Sequence, residues 1–156
     1  TRFKALAGHG TSRRDPSPDY THMIWMRCWA HQLNLMVKAL LGFAIFAEVA
    51  KMAMAAATAI TKSSAKQYKR LRDQCELLYG KGVATTILTV GETRWNSMQG
   101  CFASQLRIKG ACEMLATRYG GQQSFPAALK VWKDSNYWHK LAEAELLIRP
   151  FVMHPI

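Results

Sequence analysis

Cys28 and His31 stand in the stretch Cys28-Trp-Ala-His31-Gln-Leu-Asn34, where an apolar periodicity begins. Their spacing is close to one helical turn, so thiol and imidazole would lie one above the other on the first turn of a helix. Such a pair is open to several chemistries. It could ligate zinc, but a structural zinc site needs four donors. Cys75, Cys101, Cys112, His9, His22 and His139 are scattered and supply no second close pair. It could form a thiolate nucleophile, with the helix N-terminus lowering the thiol pKa. No third orienting group or oxyanion site accompanies it in the sequence. The imidazole could instead touch a phosphate, or brace a strand-to-helix junction by its hydrogen bonds.

A second motif is Thr93-Arg94-Trp95-Asn96-Ser97. A tryptophan at a helix start can stack on an extrahelical base while a neighbouring arginine holds a phosphate. The structural alternative is a core tryptophan covering the helix start. The third feature is a run of cations, Lys62, Lys66, Lys69, Arg70 and Arg72, around the start of a further helix. Positive charge there opposes the helix macrodipole, so local stability does not account for it. Phosphate contact would, and a solvated lysine-rich face is the plainer alternative. The chain carries 21 Lys and Arg against 10 Asp and Glu, a net charge of +11. That imbalance points to a polyanionic partner, nucleic acid first, the alternative being a solvated basic surface that keeps the chain soluble.

The elements that must position these residues read as helices. Leu33, Val37, Leu40 and Leu41 recur at helical spacing after His31. Gly42 divides this helix from a second, whose apolar face is Phe43, Phe46, Val49, Ala50, Ala53, Ala57 and Ile60. From Ala39 to Ile60 the chain is apolar over a membrane-spanning length. Glu48 and Lys51 interrupt it and much of it is alanine, so a packed helix is expected rather than a membrane span. Met23, Met26, Met36, Met52 and Met54 read as adaptable core filling. Ser64 and Gln67 have the form of a capping box, predicting a helix from Ala65 to Gly80 with Leu71, Cys75 and Leu78 buried. Ala84–Val90 is β-branched and reads as extended, without an evident partner strand. Asn96 is expected to cap a long helix reaching Gly120, and Met98, Cys101, Phe102, Ile108, Cys112, Leu115 and Tyr119 to form its buried face. A short helix carrying Leu129 and Trp132 follows Phe125-Pro126, and Asp134 caps the last helix, with Trp138, Leu141 and Ile148 inward. Ahead of all this, 8–19 is a Gly/Pro/Ser loop carrying Arg13 and Arg14, and Met23–Arg27 reads as a short strand.

At 156 residues and 49% apolar composition, one domain with a real core is expected, not a disordered chain. Four cysteines do not make a disulfide scaffold at this length, and no signal peptide is expected at Thr1. Cytosol or nucleus is the expected compartment.

The Cys28-x-x-His31 pair followed by Leu33-Asn34-Leu35, with Thr93-Arg94-Trp95-Asn96-Ser97 after it, resembles the hAT superfamily of cut-and-paste DNA transposases, in its oomycete-type form. The resemblance runs from about Met23 to Phe151. It implies an RNase H-like core interrupted by a large helical insertion, and three acidic residues holding two divalent metals for strand cleavage and transfer. It carries base stacking to Trp95 and a DNA or metal-neighbourhood contact to His31. It finds no acidic triad here. The first two acids would lie before the start of this sequence or at Thr1–Lys4, and the third beyond Ile156. Asp15 and Asp19 stand in the Pro-rich loop, and Glu143 and Glu145 in a helix resembling the end of the insertion.

The expectation is a mainly α chain: the helical insertion of an RNase H-like transposase with one or two short N-terminal strands and an incomplete catalytic core. Residues 1–156 form a single domain, with 1–27 a remnant of the core and loop and 28–156 helical. Its function is expected to be DNA binding without independent strand transfer, in the nucleus. No cofactor is expected, Mg²⁺ entering only with a complete triad in a longer chain. The alternative is a protein-interaction module on transposon-derived helices, self-associating or secreted into a host cell as a pathogen effector. No membrane partner is expected.

Overall fold

The structure, a computed structural model, describes residues 29–91 and 95–151; for Trp29, Ala30, Asn34, Trp95 and Asn96 it describes the backbone alone. Helices α1 (Trp29–Gly42), α2 (Ala44–Thr61), α3 (Ala65–Tyr79), α4 (Trp95–Arg107), α5 (Lys109–Tyr119) and α6 (Ser135–Ile148) account for most of it. A 3-10 helix, Ala127–Lys133, and a last 3-10 turn, Arg149–Phe151, complete it. The chain is mainly α, and no strand occurs among the described residues. The expected strand at Met23–Arg27, the loop at 8–19, Cys28 and Arg94 lie outside them.

Helix α2 is the central beam. Val49, Ala50, Ala53, Ala56, Ala57 and Ile60 are buried along one face, four of them alanines that let other backbones approach closely. Against that face pack α1, α4, α6 and the 3-10 helix. Helix α2 is long and apolar enough to cross a membrane by length and composition. Here that stripe is spent on neighbouring helices, and Glu48 and Lys51 lie on the exposed side. Of the expected face, Phe43 is exposed; it sits at the extended residue between α1 and α2, outside the helix.

The centre is fastened by one polar side chain. Gln105 of α4 is fully buried. Its Nε2 donates to Ala53 O at 3.0 Å, while its Oε1 accepts from Trp132 Nε1 at 3.1 Å and Tyr137 OH at 2.8 Å. Four elements thus meet at one amide whose donors and acceptor are all in use. Trp138 donates from Nε1 to Trp132 O at 3.0 Å, so both tryptophans are buried with satisfied indoles.

The expected long helix from Asn96 is broken. Ile108 leaves helical geometry (φ −115°, ψ 28°) and α5 starts anew at Lys109. The cause is tertiary. The Tyr79 hydroxyl accepts from Gly110 N at 3.1 Å, and a Cβ on Gly110 would stand 3.0 Å from that oxygen. Asn96 itself lies within α4, which begins at Trp95, so it is not a cap residue.

Residues 83–91 form neither helix nor strand. Ser104 Oγ accepts from Leu88 N at 3.0 Å, and Arg107 Nη2 donates to Thr86 O at 3.1 Å. Side chains of α4 take the backbone groups that a neighbouring strand would have paired, and Ile87 is buried.

Candidate nucleic-acid interface

Helix α3 grows directly out of α2. Lys62 is the C-cap of α2, and Ser64, extended at φ −57° and ψ 150°, precedes the first turn of α3. The capping box does not close. Ser64 makes no side-chain cap bond, and Gln67 turns inward, its Nε2 donating to Ser124 O at 3.5 Å. Gln67 is buried, and its side chain serves the contact with the 121–125 loop instead. At the other end Gly80, at φ 85°, adopts the left-handed conformation that lets the chain leave the helix.

The buried residues of α3 are Gln67, Leu71, Gln74 and Cys75, and they face α5. The two helices run antiparallel: Arg70 meets Tyr119 near one end, and Tyr79 meets Gly110 near the other. Leu78, expected in the stripe, is 42% exposed, because it lies on the last turn, where α5 is only beginning.

This packing sorts the predicted cations. Lys62, Lys66, Lys69 and Arg72 are exposed. Among the described residues the ion pairs are Lys109–Glu113, His139–Glu143 and Arg149–Glu145, none of which involves α3. No acidic residue sits in the first turn of α3, where the macrodipole would favour one. Lys62, at the C-terminus of α2, does complement a macrodipole, so one of these cations has a local structural reason. Lys66 and Lys69 have none. Asp73 and Glu76 follow on later turns and dilute the positive face toward its C-terminal end.

Arg70 behaves differently. Its Nη1 donates to Gln122 Oε1 at 3.1 Å and to Gln67 Oε1 at 3.3 Å, and its guanidinium carbon lies 3.9 Å from the centre of the Tyr119 ring. It joins α3 to the end of α5 as well as adding charge. Around the same ring are cations that the sequence did not single out. Arg118 has its guanidinium carbon 5.7 Å from the Tyr119 centroid. Lys133 crosses Gly120, its Cε 3.3 Å from where a Cβ would stand. A Cβ on Gly120 would also come within 2.3 Å of Ala116 O, so the backbone at the end of α5 requires glycine there. In the sequence these residues are far from the α3 cluster; the antiparallel α3–α5 pairing brings Arg118 to it, and the packing of the 3-10 helix on α5 brings Lys133.

The other motif residues are placed apart. His31 is exposed on the first turn of α1, which packs on α2 and α4. Trp95 opens α4. Ser97, two residues on, accepts from Gly91 N at 3.1 Å and donates to Gly91 O at 3.2 Å, tying the first turn of α4 to the end of the 83–91 segment.

Among the described residues no three His, Cys, Asp or Glu side chains converge as metal ligands. Burial pushes the thiols of Cys75 and Cys112 up and that of Cys101 up to about 11, a bond from Gln105 opposing the last. All three are buried thiols, the opposite of an activated thiolate. Burial alone would raise the Glu145 carboxyl, but bonds from Arg149 (Nε at 3.1 Å, Nη2 at 2.5 Å) and from Gln99 Nε2 at 2.8 Å outweigh it and hold it below the usual carboxylate range. Glu145 is a strut between α4 and α6.

No family model, curated protein or solved structure matches this chain.

Proposed function

We propose that this chain is a nucleic-acid-binding helical domain of transposase origin, which holds DNA by its phosphates and does not itself cleave or transfer strands. The observation that supports this most is the exposed run Lys62, Lys66, Lys69 and Arg72, none in an ion pair among the described residues, on a chain of net charge +11. A charged side chain that braces nothing in its own fold is available to a partner of opposite sign. The even spacing of cations along α3 suits a repeating anion such as a phosphate backbone. The transposase origin rests on Cys28-x-x-His31 and Arg94-Trp95, with Trp95 assigned to base stacking and His31 to a backbone contact. A nuclear location follows from this reading.

The test is fluorescence anisotropy with a labelled duplex and a labelled hairpin at low ionic strength. Binding of both, the hairpin more tightly, is the expected result. Binding of neither retires the reading.

A protein-interaction module is the second reading. It is favoured by apolar side chains at the far end of α3, where Leu77 is 69% exposed beside the half-exposed Leu78 and Tyr79. A domain that ignores DNA but self-associates through this end would support it.

A further inference from the structure

Two guanidinium groups from different helices converge on one ring. Arg70 lies with its guanidinium carbon 3.9 Å from the Tyr119 centroid, and Arg118 with its own at 5.7 Å. Lys133 passes over the adjoining Gly120. None of the three cations is paired with a carboxylate among the described residues. The nearest acid in sequence, Asp134, spends Oδ1 on Asn136 N at 2.9 Å as a helix cap.

The C-terminal dipole of α5 accounts for one cation here, since it is worth about half an elementary charge. It does not account for three. Stacking on Tyr119 explains Arg70, whose hydrogen bonds to Gln67 and Gln122 also fix it in place. Arg118 has only the longer contact with the Tyr119 ring, Lys133 has no ring contact, neither makes a hydrogen bond or ion pair among the described residues, and both are exposed. Like charges gathered at one end of a helix repel, and a bound anion would relieve that repulsion. Arginine offers a flat fork of donors matched to phosphate oxygens, and Arg70 holds the Tyr119 ring and loop as a fixed base beside it. Lys66 stands one turn before Arg70 on α3, which makes the station continuous with the lysine run.

The geometry points to a phosphate station at the α3–α5 end, formed by Arg118 and Lys133 beside the Arg70–Tyr119 stack, that takes a backbone phosphate of bound nucleic acid. The assignment rests on the nucleic-acid reading above and adds where on the domain the strand must pass: from the Lys66–Lys69 face of α3 across the C-terminus of α5 to the 3-10 helix.

The experiment uses the full chain and the variants Arg118→Gln, Lys133→Gln and their double. Anisotropy with a labelled duplex is measured over a salt series, together with thermal unfolding. Each lost phosphate contact lowers the slope of log affinity against log salt by about one, so the double variant should lose about two with its unfolding midpoint unchanged. Arg118→Glu should weaken binding further than Arg118→Gln. If the wild type binds no DNA, the nucleic-acid reading fails and the station with it. If the wild type binds and the double variant keeps both affinity and slope, the station alone is overturned. A competition arm with inorganic phosphate separates the sources: displacement of DNA by phosphate at an ionic strength where chloride does not displace it would make this a free-phosphate site and overturn the assignment to nucleic acid.

Discussion

Arg70 Nη1 lies 3.1 Å from Gln122 Oε1, a bond that ties the second turn of α3 to the loop after α5. It divides a sequence cluster that otherwise looks uniform. Lys66, Lys69 and Arg72 have no such tie. Replacing those three with alanine should weaken duplex binding strongly and leave the unfolding midpoint nearly unchanged. Arg70→Ala should lower stability by about 1–2 kcal/mol, through the lost hydrogen bonds and ring contact, in a urea melt. Equal stability losses in the two variants would contradict the division.

Gln105 supplies the second expectation. Gln105→Leu keeps the volume but leaves Trp132 Nε1, the Tyr137 hydroxyl and Ala53 O without their partner in the core. Each buried orphan costs about 1–3 kcal/mol, so a loss of about 3–5 kcal/mol is expected from chemical denaturation. A loss under about 1 kcal/mol would mean that the core repacks around the site.

Glu145 gives a pH dependence with a definite sign. Its carboxyl is held below the ordinary value of 4.5, so the folded state binds its proton less readily than the unfolded chain does. Its stabilisation is therefore full above that value and is lost as pH falls through the lower, folded pKa. Comparing the unfolding free energies of wild type and Glu145→Gln from neutral pH down to about 3 should show a gap that closes on the acid side. A gap that widens there would reverse the assignment.

Much of the frame is legible in the sequence because local signals and tertiary packing agree. Helix α1 ends at Gly42, one residue before the break at Phe43, Gly80 ends α3, and Asp134 caps α6 through Asn136 N. Trp132 and Trp138 fall in the core as expected of large aromatics with reachable acceptors. The misreadings occur where a distant group takes over a local one. Ser124 O draws Gln67 out of its capping box, and the Tyr79 hydroxyl takes the Gly110 N–H where the expected long helix breaks. Likewise Arg118 and Lys133 carry no local mark of a site. Their placement depends on α3 lying antiparallel to α5 and on the 3-10 helix packing against α5, which no spacing in the sequence announces.

Trp95 tests the link to the transposase family. It opens α4, two residues before Ser97, which bonds to Gly91. If it stacks on an unpaired base, Trp95→Ala should cost about 1–3 kcal/mol in binding to hairpin DNA and little in folding. A folding loss of about 3–5 kcal/mol with unchanged binding per folded molecule would make it a core residue instead.

The central claim is that exposed, unpaired cations hold a phosphate backbone. The most direct measurement is the affinity of the wild-type domain for one labelled duplex across a salt series. The account predicts a linear fall of log affinity with log salt, with a slope of about −4 to −6 if four to six phosphates are neutralised. Absence of binding at low salt, or an affinity indifferent to salt, would contradict it.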